Sequence, residues 1–340
     1  MPICKICGTT FKNTQGLAGH RRLRHGVQKP ALTLAGQPLY HKVLQHLADK
    51  LAEKLANAIL EAHGQELLEG CMEELSHQGF APSLLGERHV GKAIIIAAGR
   101  SPRLLPVTRD KPHCLLEVGN ETIMERELDA LRSCGINYIV VVRGYQGEKI
   151  NYSHIRYFEN IGYENNGILS SLFCAEGEIN DGFVFSYSDI IYGTDVLQRL
   201  LKDKSDISLV VDTEWMSHYE QRHQHPLEEA ELTMVESNRI TRIGKNIVSL
   251  REAHGEFIGL AKFTKRGAEI LRSNYARVLS ECQGRPFQNA PSVEKAYFTD
   301  MIQEIIDNGY IVHNVDIKDG WVEIDTPEDL ERAQRQFSPN

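Results

Sequence analysis

The sequence lacks a hydrophobic run long enough to span a membrane, and its N-terminus lacks the basic and then apolar layout of a signal peptide. It also lacks an excess of positive charge. Because 38 Lys and Arg stand against 46 Asp and Glu, for a net charge of -8, a role dominated by binding long nucleic acid is disfavoured. The seven cysteines are an odd number and mostly scattered, which argues against a disulfide framework. We therefore expect a soluble, cytoplasmic protein with no membrane segment.

The composition divides the 340 residues into three parts. Residues 1–27 contain closely spaced cysteines and histidines, residues 28–90 begin as a linker and continue with helical spacing, and residues 91–337 alternate strand-like and helix-like segments. We expect a ββα zinc finger, a helical hairpin and one large α/β domain with a mixed, mostly parallel central sheet.

The first part has the ligand spacing of a small zinc site. Two cysteines separated by two residues are followed by twelve residues and then by two histidines with four residues between them. Two thiolates and two imidazoles suit tetrahedral zinc, and a core of only Phe11 and Leu17 would not fold without the metal. The segment resembles a C2H2 zinc finger over its whole length. The predicted zinc ligands are Cys4, Cys7, His20 and His25.

The finger positions that normally face DNA bases have little capacity to read them. They fall at Asn13, Gly16 and Gly19, and two of these have no side chain. We expect the finger to dock against a protein surface or to serve a structural role, or alternatively to contact nucleic acid weakly through nearby arginines. The helical spacing from Tyr40 to Leu75 also has two interpretations: a helical pair packed on its own domain, or a hairpin that forms a homodimer.

The third part predicts a regular alternation of strands and helices. Amphipathic runs such as Met124, Leu128 and Leu131 predict helices, and the alternating residues 231–244 predict a hairpin. The predicted strands outside the hairpin cover 92–98, 137–143, 182–187, 206–211 and 310–316, and the predicted helices cover 121–134, 167–178, 193–202, 264–280, 293–308 and the segment from Pro327.

The most informative segment is an apolar strand that ends in a loop of small and basic residues. The run Ala93–Ala98 is typical of a strand buried on both faces of a parallel sheet, and ligands bind at the loops after such strands. Small residues such as Gly99 leave the backbone N–H groups accessible, and Arg100, Arg103 and Arg109 add fixed positive charge. This combination predicts a site for the phosphates of a nucleotide.

Several motifs, taken as an ordered set, resemble one enzyme superfamily. The signature loop of the sugar-phosphate nucleotidyltransferases is matched by Ala97-Ala98-Gly99, Arg103, Pro106, Thr108, Pro112 and Leu115-Leu116. Four further segments resemble the cytidylyltransferase branch, which activates phosphocholine or phosphonates with CTP. They are Ser186–Ile190, Gly255–Leu260, Thr299–Gln303 and Trp321–Asp325. The resemblance covers residues 91–335 and implies a Rossmann-like nucleotidyltransferase fold.

The resemblance implies a reaction between anionic partners. An oxygen of the acceptor's phosphate or phosphonate attacks the α-phosphorus of the triphosphate in line and pyrophosphate leaves, so catalysis needs positioning and positive charge. By resemblance, Arg103 contacts the β- and γ-phosphates, and Asp189 and Asp325 hold Mg²⁺. Each aspartate also has a simpler interpretation, because a carboxylate at such a position often caps the helix that follows.

Two positions of the loop depart from the superfamily pattern. Ser101 replaces the second glycine and is followed by Pro102, which stiffens the loop and removes a backbone donor. His113 stands where the superfamily usually has a lysine, and a histidine is largely neutral near pH 7. Either Lys111 or Lys92 supplies the missing charge, or the activity is slower, shifted to lower pH or adapted to another acceptor. The predicted catalytic residues are Arg103, His113 and Lys111.

The other predicted site residues occupy positions that resemble substrate-contacting segments. The predicted nucleotide contacts are Ala97, Ala98, Gly99, Arg100, Ser101, Arg103, Gly144, Tyr145, Asn166 and Ser171. For the last four, turn formation and helix capping are equally good explanations. Lys245 and Glu256 are predicted on the acceptor side, and Trp215 and Trp321 either form a cage for a quaternary ammonium group or lie in the core.

These features support three hypotheses of function. The first is a Mg²⁺-dependent cytidylyltransferase that transfers CMP from CTP to a small phosphonate or a phosphocholine-like phosphomonoester and releases pyrophosphate. The second keeps the fold but uses UTP or dTTP with a sugar 1-phosphate. The third, motivated by Ser101 and His113, is a degenerate nucleotide-binding regulator that acts through its zinc finger.

Overall fold

The computed structural model describes residues 90–220 and 222–337, together with the isolated residues 2, 3, 10 and 12. The chain separates into two units, Met1–Glu87 and Arg88–Asn340, and every helix and strand named below belongs to the second. The predicted helical hairpin lies outside the described residues, and so do the predicted zinc ligands Cys4, Cys7, His20 and His25.

A nine-stranded mixed sheet forms the centre of this unit, in the order β5-β4-β1-β6-β11-β8-β12-β10-β9. Its strands are β1 (Lys92–Ala97), β4 (Tyr138–Arg143), β5 (Ile155–Glu159), β6 (Phe183–Tyr187), β8 (Ile207–Asp212), β9 (Glu231–Glu236), β10 (Arg239–Lys245), β11 (Gly255–Phe263) and β12 (His313–Ile317). Only β10 and β11 run against the other seven strands. Two small two-stranded sheets pair β2 (Glu117–Val118) with β3 (Glu121–Thr122) and β7 (Ile190–Tyr192) with β13 (Trp321–Glu323).

The helices of the described residues are α1 (Ile123–Ser133), α2 (Ile168–Cys174), α3 (Thr194–Lys202), the single turn α4 (Met216–Tyr219), α5 (Lys265–Glu281), α6 (Phe298–Asp307) and α7 (Pro327–Phe337). Local chemistry fixes their starts: the Thr122 hydroxyl and the Glu125 carboxylate form a capping box at α1. No helix in this part of the chain is both long and apolar enough to cross a lipid bilayer.

Two apolar layers cover the faces of the sheet, and β1 contributes to both. Ile94 and Ile96 pack into the layer that contains Phe183, Phe185 and Phe263. Ala93, Ile95 and Ala97 pack into the opposite layer with Met124, Leu128 and Leu131 of α1. The expectation that this strand is buried on both faces is therefore confirmed, and its end is held rigidly in the core.

Most of the predicted elements are confirmed, with differences at their ends and one missed central strand. The helix predicted over 167–178 ends at Cys174, and the helix predicted over 293–308 begins at Phe298, because the Asp300 carboxylate accepts the Tyr297 backbone N–H there. The sequence did not predict β11, which contains two glycines. Gly259 has a φ of +86°, and a Cβ there would lie 2.4 Å from the Tyr187 ring. A strand interrupted in this way does not show the usual strand pattern.

The sheet brings three strand ends to one edge. β1 pairs in parallel with β4 and with β6, so the segments that follow Ala97, Arg143 and Tyr187 leave from neighbouring positions. The carboxyl ends of parallel strands are where α/β sheets bind ligands. The loop 98–112, the turn at Gly144 and the segment through Asp189 therefore share one edge.

Candidate active site

The loop after β1 leaves open space beside its backbone. The Ala98 carbonyl accepts the Tyr145 backbone N–H at 3.0 Å, so the turn after β4 lies directly against this loop. Gly144 is needed for that approach, because a Cβ there would lie 2.6 Å from the Ala98 carbonyl oxygen. At Gly99 an added Cβ would meet no atom within 4 Å. The loop therefore presents an accessible backbone to a ligand, and the structure brings together Ala97, Ala98, Gly99, Gly144 and Tyr145.

Arg100 and Tyr145 meet at the outer side of this loop. The Arg100 guanidinium lies 5.4 Å from the centroid of the Tyr145 ring, and the Tyr145 hydroxyl donates to the Arg109 carbonyl at 2.6 Å. The Tyr145 side chain thus contacts the loop at Arg100 and at Arg109, and the charge of Arg100 remains at the surface.

Asn166 and Ser171 meet through a residue that sequence reasoning missed. The Asn160 side-chain amide donates to Asn166 Oδ1 and to Ser171 Oγ, both at 2.8 Å, and Asn166 Nδ2 donates back to Asn160 Oδ1 at 2.9 Å. The Asn160 backbone N–H donates to the Arg143 carbonyl at the end of β4. Internal hydrogen bonds fix this amide cluster next to the end of β4. No motif marks Asn160, which follows an edge strand that the sequence did not predict.

Arg103 joins two carboxylates that are far apart in the chain. Its Nη2 donates to Asp325 Oδ2 at 2.9 Å, and its Nη1 lies 3.4 Å from Glu229 Oε1. The other oxygen of Glu229 lies 2.7 Å from Lys245 Nζ. Glu229, which the sequence analysis missed, therefore connects the loop arginine to the lysine predicted on the acceptor side.

Three potential metal ligands converge at the same edge. One ligand atom each from His113, Asp189 and Asp325 lie within 4.8 Å of one another. Asp189 Oδ1 is buried without a hydrogen-bond partner in the described part of the chain, and burial, followed by the charges of Asp325 and Glu323, raises the pKa of Asp189 well above its usual range. The group could hold a divalent cation, which would offset this repulsion.

The capping interpretation of both aspartates is not supported by the geometry. The first turn of α7 is closed by Thr326 and Asp329, whose side chains bond each other and each other's backbone N–H groups. Helix α3 begins after Gly193 and has no side-chain cap. The carboxylates of Asp189 and Asp325 therefore have no part in starting these helices.

His113 is buried beside the carboxylates and is paired with the other unusual loop residue. A 2.8 Å hydrogen bond joins its Nδ1 to Ser101 Oγ, and its Nε2 is buried without a partner among the described residues. Burial lowers the pKa of His113, an effect only partly offset by the Asp325 charge, by the Ile324 backbone and by the Asp329 charge. The histidine is therefore a neutral group rather than a substitute for a lysine charge.

Of the two lysines expected to replace that charge, Lys92 is excluded. It begins β1, at the end of the strand opposite the loop, and its Nζ donates to the Glu178 carbonyl at 2.7 Å and lies 3.3 Å from the Glu178 carboxylate. Because Lys92 is paired with Glu178 at the other end of β1, the expectation that it supplies charge to the nucleotide loop is wrong. Lys111 is half-buried in the loop and makes no hydrogen bond or ion pair with any other described residue.

A second group of potential ligands lies next to the first but already contains a cation. His225, Glu323 and Asp325 also offer ligand atoms within 4.8 Å. Arg222 occupies this group: its Nη2 donates to His225 Nδ1 at 2.8 Å and to Glu323 at 2.9 Å, and its Nε donates to Asp329 at 2.7 Å. Burial and the Arg222 charge lower the pKa of His225 to about 4. The Arg222 guanidinium supplies the positive charge that a metal ion would otherwise bring to this group.

A cavity of about 410 Å³ surrounds Lys245 on the acceptor side. Its lining residues are Glu228, Glu229, Lys245, Asn246, Asn289, Tyr297, Thr299 and Asp300. The lysine Nζ lies 4.5 Å from the centroid of the Tyr297 ring as well as beside Glu229. The lining contains three acidic residues and one lysine, so the cavity is acidic.

The other residues expected on the acceptor side lie elsewhere. Glu256 is buried away from the Lys245 cavity, where Tyr219 Oη donates to its Oε1 at 2.7 Å, and burial raises the pKa of Glu256 to about 8. Trp215 and Trp321 are 4% and 5% exposed, and Trp321 Nε1 donates to Asp212 at 2.9 Å. The two tryptophans are core residues, and the interpretation as a cage is wrong.

A phosphate-accessible loop, a loop arginine and convergent carboxylates at one edge of a largely parallel sheet define a nucleotidyltransferase. Comparisons with known proteins agree. Residues 93–242 match the model of the MobA-like NTP transferase domain. The chain is 32% identical over 250 residues to the CTP:phosphoglutamine cytidylyltransferase of Campylobacter jejuni. The aligned region makes up 70% of this chain and 97% of that protein. The chain belongs to the nucleotidyltransferase family, and the superfamily resemblance is confirmed.

Solved structures show the same fold. The inositol-1-phosphate CTP transferase from T. maritima superposes with a TM-score of 0.57 at 24% identity, covering 74% of this chain and 98% of its own. The CTP:phosphocholine cytidylyltransferase from Streptococcus pneumoniae superposes with a TM-score of 0.54 at 20% identity, covering 73% and 99%. These likenesses confirm the α/β nucleotidyltransferase fold with a mixed sheet.

Proposed function

We propose that this nucleotidyltransferase transfers CMP from CTP, in the presence of Mg²⁺, to a small phosphonate or a phosphocholine-like phosphomonoester. The observation that carries the proposal is the 2.9 Å contact between Arg103 and Asp325, which joins the nucleotide loop to one of the two carboxylates that converge at the same edge. The relatives that use CTP with phosphoglutamine, inositol 1-phosphate or phosphocholine support the choice of nucleotide.

In this proposal each part of the site has a task in an in-line displacement. An oxygen of the acceptor's phosphate or phosphonate forms a bond to the α-phosphorus, and the bond from that phosphorus to the bridging oxygen breaks, releasing pyrophosphate. The backbone near Gly99 and the guanidinium of Arg103 bind the departing phosphates. Asp189 and Asp325 would hold the divalent ion, which neutralises phosphate charge when bound. Their buried and mutually repelling carboxylates fit that task.

The acidic cavity favours an acceptor that carries a positive charge besides its phosphorus group. Glu228, Glu229 and Asp300 outnumber Lys245, so an ammonium group of the acceptor is attracted to the cavity while a neutral sugar gains nothing from the excess charge. Lys245 is the one cation of the lining, and it binds the acceptor's anionic end in exchange for its 2.7 Å pair with Glu229. Aminoalkyl phosphates, aminoalkyl phosphonates and phosphorylated amino acids have this pair of charges.

Pyrophosphate release by the purified chain tests the proposal. The protein is incubated with CTP, UTP, dTTP or ATP and with phosphocholine, 2-aminoethylphosphonate, phosphorylated glutamine, inositol 1-phosphate or glucose 1-phosphate. We expect release with CTP and an ammonium-bearing acceptor. Release only with UTP or dTTP and glucose 1-phosphate would favour the sugar 1-phosphate enzyme. Binding of nucleotide without any release would favour the regulator.

We also propose that residues 1–27 bind one zinc ion through Cys4, Cys7, His20 and His25, on the strength of their spacing. Metal analysis of the full chain should find one zinc per chain, lost in Cys7→Ser. The control is Cys282→Ser, a substitution in the second unit. Ultracentrifugation of the full chain, before and after chelation of zinc, tests for a homodimer, and capture assays with protein extract and nucleic acid test the two roles expected for the finger.

A further inference from the structure

Two buried polar atoms of the active site lack hydrogen-bond partners among the described residues. His113 Nε2 and Asp189 Oδ1 are both inaccessible to solvent, and neither has a hydrogen-bond partner in the described part of the chain. His113, Asp189 and Asp325 each offer a ligand atom, and these three atoms lie within 4.8 Å of one another. Because buried polar atoms are almost always satisfied in folded proteins, two unsatisfied atoms in one group indicate a shared partner that is not a protein residue.

The other nitrogen of His113 is already oriented by the protein. Ser101 Oγ lies 2.8 Å from Nδ1. When Nδ1 carries the proton and donates it to the serine, the lone pair of Nε2 is free to bind a metal ion. Histidines that bind metals ordinarily donate their remaining N–H to a neighbouring oxygen in this way, which fixes both the tautomer and the ring. The Ser101–His113 pair has this arrangement.

The basic side chains around the group are already paired with carboxylates. Arg103 contacts Asp325 from the side of the nucleotide loop and is directed to the phosphates in the proposed function. Arg222 is committed to Glu323 and Asp329 in the neighbouring group. Among the described residues Asp189 forms no ion pair with a lysine or arginine; the Lys245 charge acts on it from a distance and is itself paired with Glu229. A divalent ion at His113, Asp189 and Asp325 would balance the two carboxylates and satisfy both unpartnered atoms.

We propose that His113 is a protein ligand of the divalent ion, so that this site binds Mn²⁺ or Co²⁺ in preference to Mg²⁺. The inference rests on the metal site of the proposed function and adds a nitrogen to its two carboxylates. Mg²⁺ takes oxygen ligands almost exclusively, whereas imidazole nitrogen is a good ligand for first-row transition ions. Ser101 is then a positioning residue that acts through the histidine, and the two departures from the superfamily pattern are one coupled change.

Electron spin echo spectroscopy of Mn²⁺ bound to the full chain, without nucleotide, tests this directly. We expect modulation from a directly bound imidazole nitrogen, which ¹⁵N-labelled histidine shifts to ¹⁵N frequencies. In His113→Gln the modulation disappears and Mn²⁺ binds at least about tenfold more weakly, and Ser101→Ala weakens Mn²⁺ binding by roughly tenfold. His225→Gln, in the group occupied by Arg222, is the matched control and should keep the nitrogen signal.

Competition between ions supplies a second readout. Mg²⁺ should displace Mn²⁺ from the wild-type protein only at an excess of roughly a hundredfold, and His113→Lys, which places the usual superfamily residue in the loop, should abolish this preference. Mn²⁺ binding without nitrogen modulation, an unchanged signal in His113→Gln, or failure of Mn²⁺ to bind would overturn the inference. If the nitrogen signal is present but no nucleotide is turned over, the proposed function fails and the metal site stands.

Discussion

Two groups of acidic and histidine residues lie side by side in this protein and share Asp325, yet their chemistry differs. In the group of His113 and Asp189, buried polar atoms have no partner. In the group of His225 and Glu323, the Arg222 guanidinium contacts both residues. The composition of the two groups is nearly the same, so residue types alone do not distinguish a site from a structural network. The two groups differ in their cations: Arg222 joins His225 to Glu323, whereas in the first group Arg103 contacts Asp325 alone.

The difference shows how a protein separates stability from function within a few ångströms. Removing either partner of a buried ion pair strongly destabilises the folded protein, because the remaining charge is left buried without a partner. A group of buried polar atoms without hydrogen-bond partners lowers the stability of the free protein, and a ligand that binds these atoms restores that stability. Substitutions in the two groups should therefore have opposite effects on folding and on turnover.

The largest expected effect is the loss of activity in Asp189→Asn. Removing a metal-binding carboxylate should lower kcat roughly 10²- to 10³-fold, since each such electrostatic contact is worth several kcal/mol in the transition state. The melting temperature should stay the same or rise, because the substitution removes one of two repelling carboxylates. Steady-state pyrophosphate release and thermal unfolding measure both. The exposed Asp129→Asn on α1 is the control, and normal turnover in Asp189→Asn would remove this residue from the site.

Arg222→Met should show the reverse behaviour. It leaves the Asp329 carboxylate buried, and the half-buried Glu323 carboxylate, without their partner, and removing one partner of a buried ion pair typically costs about 3 to 5 kcal/mol of unfolding free energy. Urea denaturation measures this. Arg332→Met is the control, because Arg332 is more exposed and lies 4.0 Å from Asp329. A destabilisation no larger than that of the control would mean that the Arg222 network is not structural.

Glu256→Gln should change how stability depends on pH. Tyr219, Glu323, Arg222 and Asp212 surround the carboxyl, and burial raises its pKa to about 8, so the folded protein retains a proton that the unfolded chain loses above its ordinary pKa of 4.5. Stability contributed by the neutral carboxyl is complete below about pH 4.5, is lost as pH rises to 8 and is constant above it.

The glutamine variant should therefore be more stable than wild type at pH 8.5 by a few kcal/mol, at about 1.4 kcal/mol for each unit of pKa difference, and little different at pH 5. Chemical denaturation at pH 5, 7 and 8.5 gives the three values. The exposed Glu252→Gln should lack this trend, and an equal stability difference at all three pH values would contradict the assignment.

A smaller effect is expected from Glu229→Gln at the border of the nucleotide and acceptor sides. Glu229 shares its carboxylate between Arg103 at 3.4 Å and Lys245 at 2.7 Å, so removing its charge leaves both cations freer. CTP should bind roughly three- to tenfold more tightly, because one half-exposed ion pair no longer competes for the guanidinium. Calorimetric titration with CTP measures this. Glu228→Gln lines the same cavity without contacting Arg103 and is the matched control; an equal gain in both variants would assign the effect to general charge.

The fold was largely predictable from the sequence because the hydrophobic residues of its strands and amphipathic helices follow clear patterns. The run at Ala93–Ala98 and the hairpin over 231–244 were located to within about one residue at most ends. The strand β11 was missed because Gly255 and Gly259 interrupt its pattern, and both permit close approach of the chain to its neighbours. Such packing requirements are set by tertiary neighbours and leave no periodic signal.

The site was only partly predictable, for a related reason. The loop, Arg103, Asp189 and Asp325 carry motif signals, and the structure brings them together. Ser101 and His113 each stood out as departures, but their 2.8 Å hydrogen bond across twelve residues depends on how the loop folds. Glu229 and Arg222 belong to the irregular segment between β8 and β9, where no periodicity connects a residue to its neighbours in space.

The most direct test of the central claim, that the unpartnered group and the nucleotide loop form one reaction centre, is the ³¹P coupling of protein-bound Mn²⁺ after CTP is added. Electron–nuclear double resonance should show phosphorus coupling from a phosphate bound to the ion in the wild-type protein, absent in Asp189→Asn and retained in Asp129→Asn. Tight binding of both Mn²⁺ and CTP without phosphorus coupling would contradict the account, because the metal and the nucleotide would then occupy separate sites.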